Sequence, residues 1–144
     1  MSKIILSGCL IINNKKELLL LYRKKHQHYE TPGGKIKESE CKDIKNPSIE
    51  ELKNAATREL FEELGEDMVI SDLKFFGAKE FVIPDGRESV ANKFIVKIIS
   101  GTPKINEPEL FSKLEWLPIS KLEEYPLSPD LKLFREKIKE LTQN

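Results

Sequence analysis

Apolar positions fall in short β-type blocks along most of the chain and take up helical spacing only twice. Residues 3–12, "KIILSGCLII", and 17–23, "ELLLLYR", flank "NNKK", which predicts a hairpin with an Asn-rich turn. A short strand at 28–31 leads into Pro32-Gly33-Gly34, a tight turn by composition. Residues 38–47, "ESECKDIKNP", are polar and without period, and read as a loop. Ser48 then opens a helix. With Glu51 three residues on it makes a capping box, and Gly65 supplies the stop. "LKFFGAKEFVI" and "VANKFIVKIIS" read as two strands joined across "PDGRES", where Pro-Asp-Gly signals a turn. "KINEPELFSK" is a loop, "LEWLPI" a short strand and "SKLEEY" a helical turn. Ser128-Pro129 starts a last helix, with Leu131, Phe134, Ile138 and Leu141 on one face. Mostly antiparallel strands with two substantial helices predict an α+β fold in a single domain spanning 1–144.

Composition narrows this picture. A chain of 144 residues is long enough to close a hydrophobic core. Lys+Arg and Asp+Glu each number 24, so the net charge is zero and bulk binding to a long polyanion is not expected. Cys9 and Cys41 match no metal or redox spacing, which suits a reducing, cytoplasmic setting. No apolar run reaches the ~20 residues a bilayer span requires.

The first helix carries the one feature that composition does not explain. "AATRELFEELGE" crowds Glu59, Glu62, Glu63 and Glu66 into eight residues. At about 100° per residue these four acids share one sector with Leu52, Ala55 and Ala56. A solvated acidic face belongs opposite the apolar stripe, not on it. Acids near a helix C-terminus also oppose its dipole. Two readings remain open. The cluster is a solvated helix end relieved by an Arg58–Glu62 pair, or its carboxylates converge on a divalent cation such as Mg²⁺ or Mn²⁺. Gly33 and Gly34 permit close approach of backbone to a ligand, and Arg23, Lys24, Lys25, Lys35 and Lys37 give a local cationic group suited to pyrophosphate.

Glu50, seven intervening residues, then Arg58, Glu59, Leu60, Glu62, Glu63 and Gly65 follow the pattern Gly-x5-Glu-x7-Arg-Glu-U-x-Glu-Glu-x-Gly-U, where U is a bulky aliphatic residue. In this the chain resembles the Nudix hydrolases, the MutT-like family acting on a nucleoside diphosphate linked to a moiety X. The box region is 33–66, with Gly34 as its first glycine. Gly34 precedes Glu50 by sixteen positions where the family has six, so an insertion is assigned to about 38–47. Ile49 and Glu66 depart from the glycine and the aliphatic residue usual at their positions.

The resemblance implies an α/β/α sandwich with a mixed, mostly antiparallel sheet and metal-dependent hydrolysis. Carried over by position, Glu59, Glu62, Glu63 and the Gly34 carbonyl hold Mg²⁺ or Mn²⁺. Arg58 orients the acids, and Glu50 supports the loop or the metal shell. Glu107 or Glu109 of "NEPE" is a candidate general base. Arg23, Tyr29, Gly33 and Lys35 are candidate substrate contacts, with Tyr29 nearest a nucleobase. The leading expectation is hydrolysis of a (deoxy)nucleoside triphosphate to the monophosphate and pyrophosphate. The alternatives are a pyrophosphatase of ADP-ribose or another nucleoside diphosphate sugar, and a non-catalytic module binding a nucleotide or partner. A monomer or a homodimer is compatible with any of these.

Overall fold

The computed structural model describes residues 3–143 and contains nine strands and two α-helices among them. In chain order these are β1 (Ile4–Ile11), β2 (Glu17–Arg23), β3 (His28–Glu30), β4 (Gly33–Lys35), α1 (Ile49–Leu64), β5 (Met68–Ile70), β6 (Lys74–Val82), β7 (Glu88–Val96), β8 (Ile98–Gly101), β9 (Phe111–Pro118) and α2 (Pro129–Glu140). Short 3-10 turns span Glu38–Glu40 and Ile119–Glu124.

One sheet has the order β4-β1-β7-β6, a second β3-β2-β9, and β5 pairs with β8. Only β1 and β7 pair in parallel among the named strands, so the pairing is mixed and mostly antiparallel. Alternation within the interior strands sorts side chains to two sides. Cys9, Ile11, Leu19, Leu21, Phe94 and Val96 join Leu52, Ala55, Ala56 and Leu60 of α1 in one core. Leu10, Leu18, Leu20 and Ala91 join Leu131, Phe134 and Ile138 of α2 in the other. The result is helix, sheet and helix in layers, the α/β/α arrangement expected.

Local signals explain where α1 begins and ends. Glu51 N donates to the Ser48 hydroxyl at 3.1 Å and Ser48 N to the Glu51 carboxylate at 2.9 Å. Gly65 ends the helix at φ 84°, a backbone region that favours glycine. The β6–β7 hairpin also forms across Gly86 at φ 92°.

Four expectations are corrected. β1 and β2 are not a hairpin: after the Asn13 turn they share one bridge, Ile12 with Leu18, and diverge into different sheets. Each is apolar on both faces and takes two other strands as neighbours, β1 between β4 and β7, β2 between β3 and β9. The run at 90–100 breaks at Lys97, because its second half pairs with β5, a three-residue strand too short to show a period. Leu141 caps the end of α2 and is 44% exposed, so it leaves the buried stripe. The segment 38–47 is not wholly loop: it opens with a 3-10 turn, and Cys41 and Ile44 pack on the α1 core.

Candidate active site

Small residues bring α1 close to the sheet. The Ser7 hydroxyl donates to Leu52 O at 2.6 Å, and the Cys9 thiol lies 3.6 Å from Ala56 O. One turn further along the same face the stripe turns acidic. Glu63 is only 4% exposed, and Glu59 is largely covered beside it. Both lie against β4. Gly33 N donates to Glu63 Oε1 at 3.2 Å, and a Cβ on Gly34 would stand 2.6 Å from Glu59 Oε1. The diglycine is therefore a strand and not a bend. Glycine is needed for closeness: a Cβ on Gly33 would meet Gly8 Cα at 2.7 Å. Burial, together with the charge of Glu59, pushes the Glu63 carboxyl up to about 9. Burial also raises Glu59, with Arg58 pulling it back.

Arg58 gathers the remaining acids. Its guanidinium donates to Glu40 twice (2.7 and 2.8 Å), to Glu59 at 2.9 Å, to Glu62 at 2.8 and 3.1 Å, and to Lys35 O at 3.3 Å. Glu40 is held below the usual carboxylate range, first by its hydrogen bond from Arg58. Glu62 is 45% exposed and turned to Arg58 and solvent. Glu66 lies beyond the end of α1 and is exposed, so it leaves the acidic sector.

Glu50 does not join this group. It is exposed in the first turn of α1 and has no hydrogen bond or ion pair to Arg58, Glu59, Glu62 or Glu63 among the described residues. Glu40 holds Arg58 instead, and it stands six positions after Gly34, the Gly-x5-Glu spacing of the family pattern. Glu40 is thus the glutamate that combines this spacing from Gly34 with direct hydrogen bonds from Arg58. The signal was present in the sequence. It was hidden because Glu50 satisfies the x7 spacing to Arg58, while seventeen residues separate Glu40 from Arg58.

The loop after β8 reaches the same place from the other side. Asn106 N donates to Glu63 O at 3.0 Å and Asn106 Nδ2 to Glu62 O at 2.9 Å. Glu107 follows, half-buried, with its carboxyl raised by burial and by the charges of Glu109, Glu59 and Glu62. Glu109 is exposed.

Beside the diglycine strand opens a cavity of about 200 Å³, lined among others by Arg23, Glu30, Gly33, Gly34, Lys93 and Asp130. It shares Arg23, Glu30 and Asp130 with a wider cleft of about 840 Å³ that reaches Lys25, His26 and Arg87. Arg23 donates to Glu30 at 2.8–3.0 Å and lies 4.8 Å over the Phe111 ring. Lys93, 5% exposed, donates to Thr31 Oγ1 and Asp130 Oδ2, both at 2.7 Å. Sequence reasoning missed Glu30, Lys93 and Asp130. A lysine inside the buried run "VANKFIV" was the available signal. Tyr29 is not at the cleft: it is buried in the α2 core between Tyr22 and Tyr125, its hydroxyl on Glu115 at 3.1 Å. Lys35 is exposed at the end of β4.

Among the described residues, no three acidic, histidine or cysteine side chains converge on one point, since Arg58 holds Glu59 and Glu62. The donor chemistry still fits a hard divalent cation. Glu63 is a buried carboxylate with a single hydrogen-bond donor, next to a second covered carboxylate and a backbone with no side chains in the way.

A family model described as the NUDIX domain matches residues 5–140. Among solved structures the fold is similar to a MutT NUDIX hydrolase from Burkholderia pseudomallei (TM-score 0.76, 23% identity, covering 94% of this chain and 98% of that one). It is also similar to a MutT protein from Methanosarcina mazei Go1 (0.74, 24%, 99% and 97%). A third is the NUDIX domain of Shewanella oneidensis NrtR complexed with ADP ribose (0.70, 18%, 99% and 90%). No curated protein matches this chain by sequence.

Proposed function

The chain belongs to the Nudix family of hydrolases, and from that premise we propose that it hydrolyses a (deoxy)nucleoside triphosphate to the monophosphate and pyrophosphate. The observation that carries the reading is the burial of Glu59 and Glu63 against Gly33 and Gly34, the glycines that also line the inner cavity. Glu59 and Glu63, with Glu62 nearby, would hold a divalent cation, which would supply charge neutralisation to a diphosphate and a lowered pKa to adjacent water.

The protein's own groups divide the remaining work. Gly33 and Gly34 keep side chains out of the space before the acids. Arg58, fixed by Glu40, holds Glu59 and Glu62 at one end of the site, so their orientation is set before substrate arrives. Glu107 is better placed than Glu109 to take a proton from water, being half-buried and within the field of Glu59 and Glu62. Arg23 meets phosphate oxygens on the cleft side, and the nucleoside occupies the space toward Lys93 and Asp130.

The nucleoside diphosphate sugar reading keeps specific support in the size of the outer cleft, about 840 Å³, and its basic groups Lys25 and Arg87. The test is a panel of ribo- and deoxyribonucleoside triphosphates, ADP-ribose and UDP-sugars with Mg²⁺ or Mn²⁺, at pH 7–9, with products identified by mass. Monophosphate plus pyrophosphate from a triphosphate supports the proposal. Turnover confined to the sugar nucleotides replaces it with the second reading, and no turnover with any of them refutes both.

A further inference from the structure

The last four carbonyls of an α-helix, here Phe61 to Leu64, have no partner inside the helix. Gly65 N takes Phe61 O and Lys104 N takes Leu64 O, both at 3.0 Å. Asn106 takes the other two, with its main-chain N–H on Glu63 O and its side-chain amide on Glu62 O. A single residue of the β8–β9 loop is therefore bonded to the main chain of two acids of the cluster. It also presents two neutral donors to the negative pole of α1, where those acids most need them.

The next residue is fixed from the opposite side. Glu107 O accepts from Leu110 N at 3.0 Å and Phe111 N at 3.1 Å, at the entry to β9. Its carboxyl lies in the field of Glu59 and Glu62, with Arg23 opposing them. The loop thus spans from α1 to β9 with Glu107 between two anchors. The Asn106 side-chain amide supplies one of the three hydrogen bonds of the α1 anchor, beside the main-chain N–H groups of Asn106 and Lys104, and the β9 anchor is main chain throughout.

We propose that Asn106 is a positioning residue: by clamping the loop to the last turn of α1 it sets the Glu107 carboxyl against the acid cluster. The proposal rests on the hydrolase reading given above and on Glu107 acting in it. The effect on rate exceeds the effect on folding. One hydrogen bond from an exposed amide contributes about 1 kcal/mol to stability, while a reacting group displaced by ~1 Å costs up to about 100-fold in rate.

The test is a double-mutant cycle of Asn106→Ala and Glu107→Gln, read as kcat and KM with the four deoxynucleoside triphosphates and Mg²⁺. Amide hydrogen exchange of the metal-free protein gives a second readout that needs no turnover. Asn106→Ala lowers kcat by roughly 10- to 100-fold with little change in KM, and it lowers kcat no further when Glu107 is already Gln. Amides of residues 107 and 109–111 exchange faster, while those in the interior of α1 do not. Equal losses in both backgrounds, or unchanged exchange at 107 and 109–111, overturn the proposal. So does full activity of Glu107→Gln, which leaves the metal-acid reading standing because that reading is tested at Glu63. A wild-type protein inactive toward every nucleotide removes the hydrolase reading and this proposal together.

Discussion

α1 and α2 lie on opposite sides of the same layer of strands, and both begin after a serine. α2 keeps its buried stripe apolar to the end, with Leu131, Phe134 and Ile138. α1 starts in the same way with Leu52, Ala55 and Ala56, then buries Glu63 and covers most of Glu59 alongside Leu60 and Leu64, where the buried stripe of α2 holds no acid. An uncompensated buried carboxylate costs far more than a leucine would at that position. One helix therefore serves mainly to hold the fold, and the other gives up stability in its second half, where the proposed cation site lies. The same sheet supports both, so the difference lies in the helices and not in the scaffold.

The sharpest way to break this contrast is Glu63→Gln. Turnover falls by about 10³-fold, equivalent to ~4 kcal/mol, in steady-state assays with Mg²⁺. The same substitution stabilises the metal-free protein. The Glu63 carboxyl is raised from 4.5 to about 9, so between those values the folded chain binds a proton that the unfolded chain has released. Stability of the metal-free wild type consequently falls as pH rises through that window, and the loss is absent below it. Chelator-treated samples melted from pH 5 to 9 show this decline, and Glu63→Gln flattens it.

Phe134→Ala is the counterpart in α2. It lowers unfolding free energy by about 3–5 kcal/mol in a denaturant titration, while turnover per folded molecule is unchanged. Next in size is the pair Glu40→Gln and Glu50→Gln. The first frees Arg58 and lowers turnover by roughly 10- to 100-fold; the second leaves it within twofold of wild type, on the order of an exposed surface change. Equal effects of the two would return the box's first glutamate to Glu50. The smallest effect belongs to Ser48→Ala, which removes the α1 cap and costs ~1 kcal/mol of stability in the same titration without altering turnover.

The sequence carried those features that depend on near neighbours. The Ser48–Glu51 box, the Gly65 stop and the turn at Gly86 are local, and each formed as read. The acids of α1 were legible because helical spacing alone sets Glu59 and Glu63 on the apolar face. Long-range partners were not. Nothing near β1 announces that its parallel neighbour is β7, and nothing in the Pro-Gly-Gly run says that its glycines answer to Gly8 and to Glu59. Tyr29 and Glu50 went astray for related reasons. A tyrosine next to a glycine strand looks exposed until Tyr22 and Tyr125 close over it, and two glutamates compete for one motif position, of which Arg58 bonds only Glu40 in the structure.

That buried acids against the diglycine strand hold a divalent cation is tested most directly by calorimetric titration of Mn²⁺ into the metal-free protein, in buffers of different ionisation heat. At pH 7 the wild type binds Mn²⁺ with release of about one proton per ion, because Glu63 must ionise to become a ligand, and Glu63→Gln loses both the binding and the proton. Mn²⁺ binding of equal strength in Glu63→Gln, or binding by the wild type with no proton released, contradicts the account.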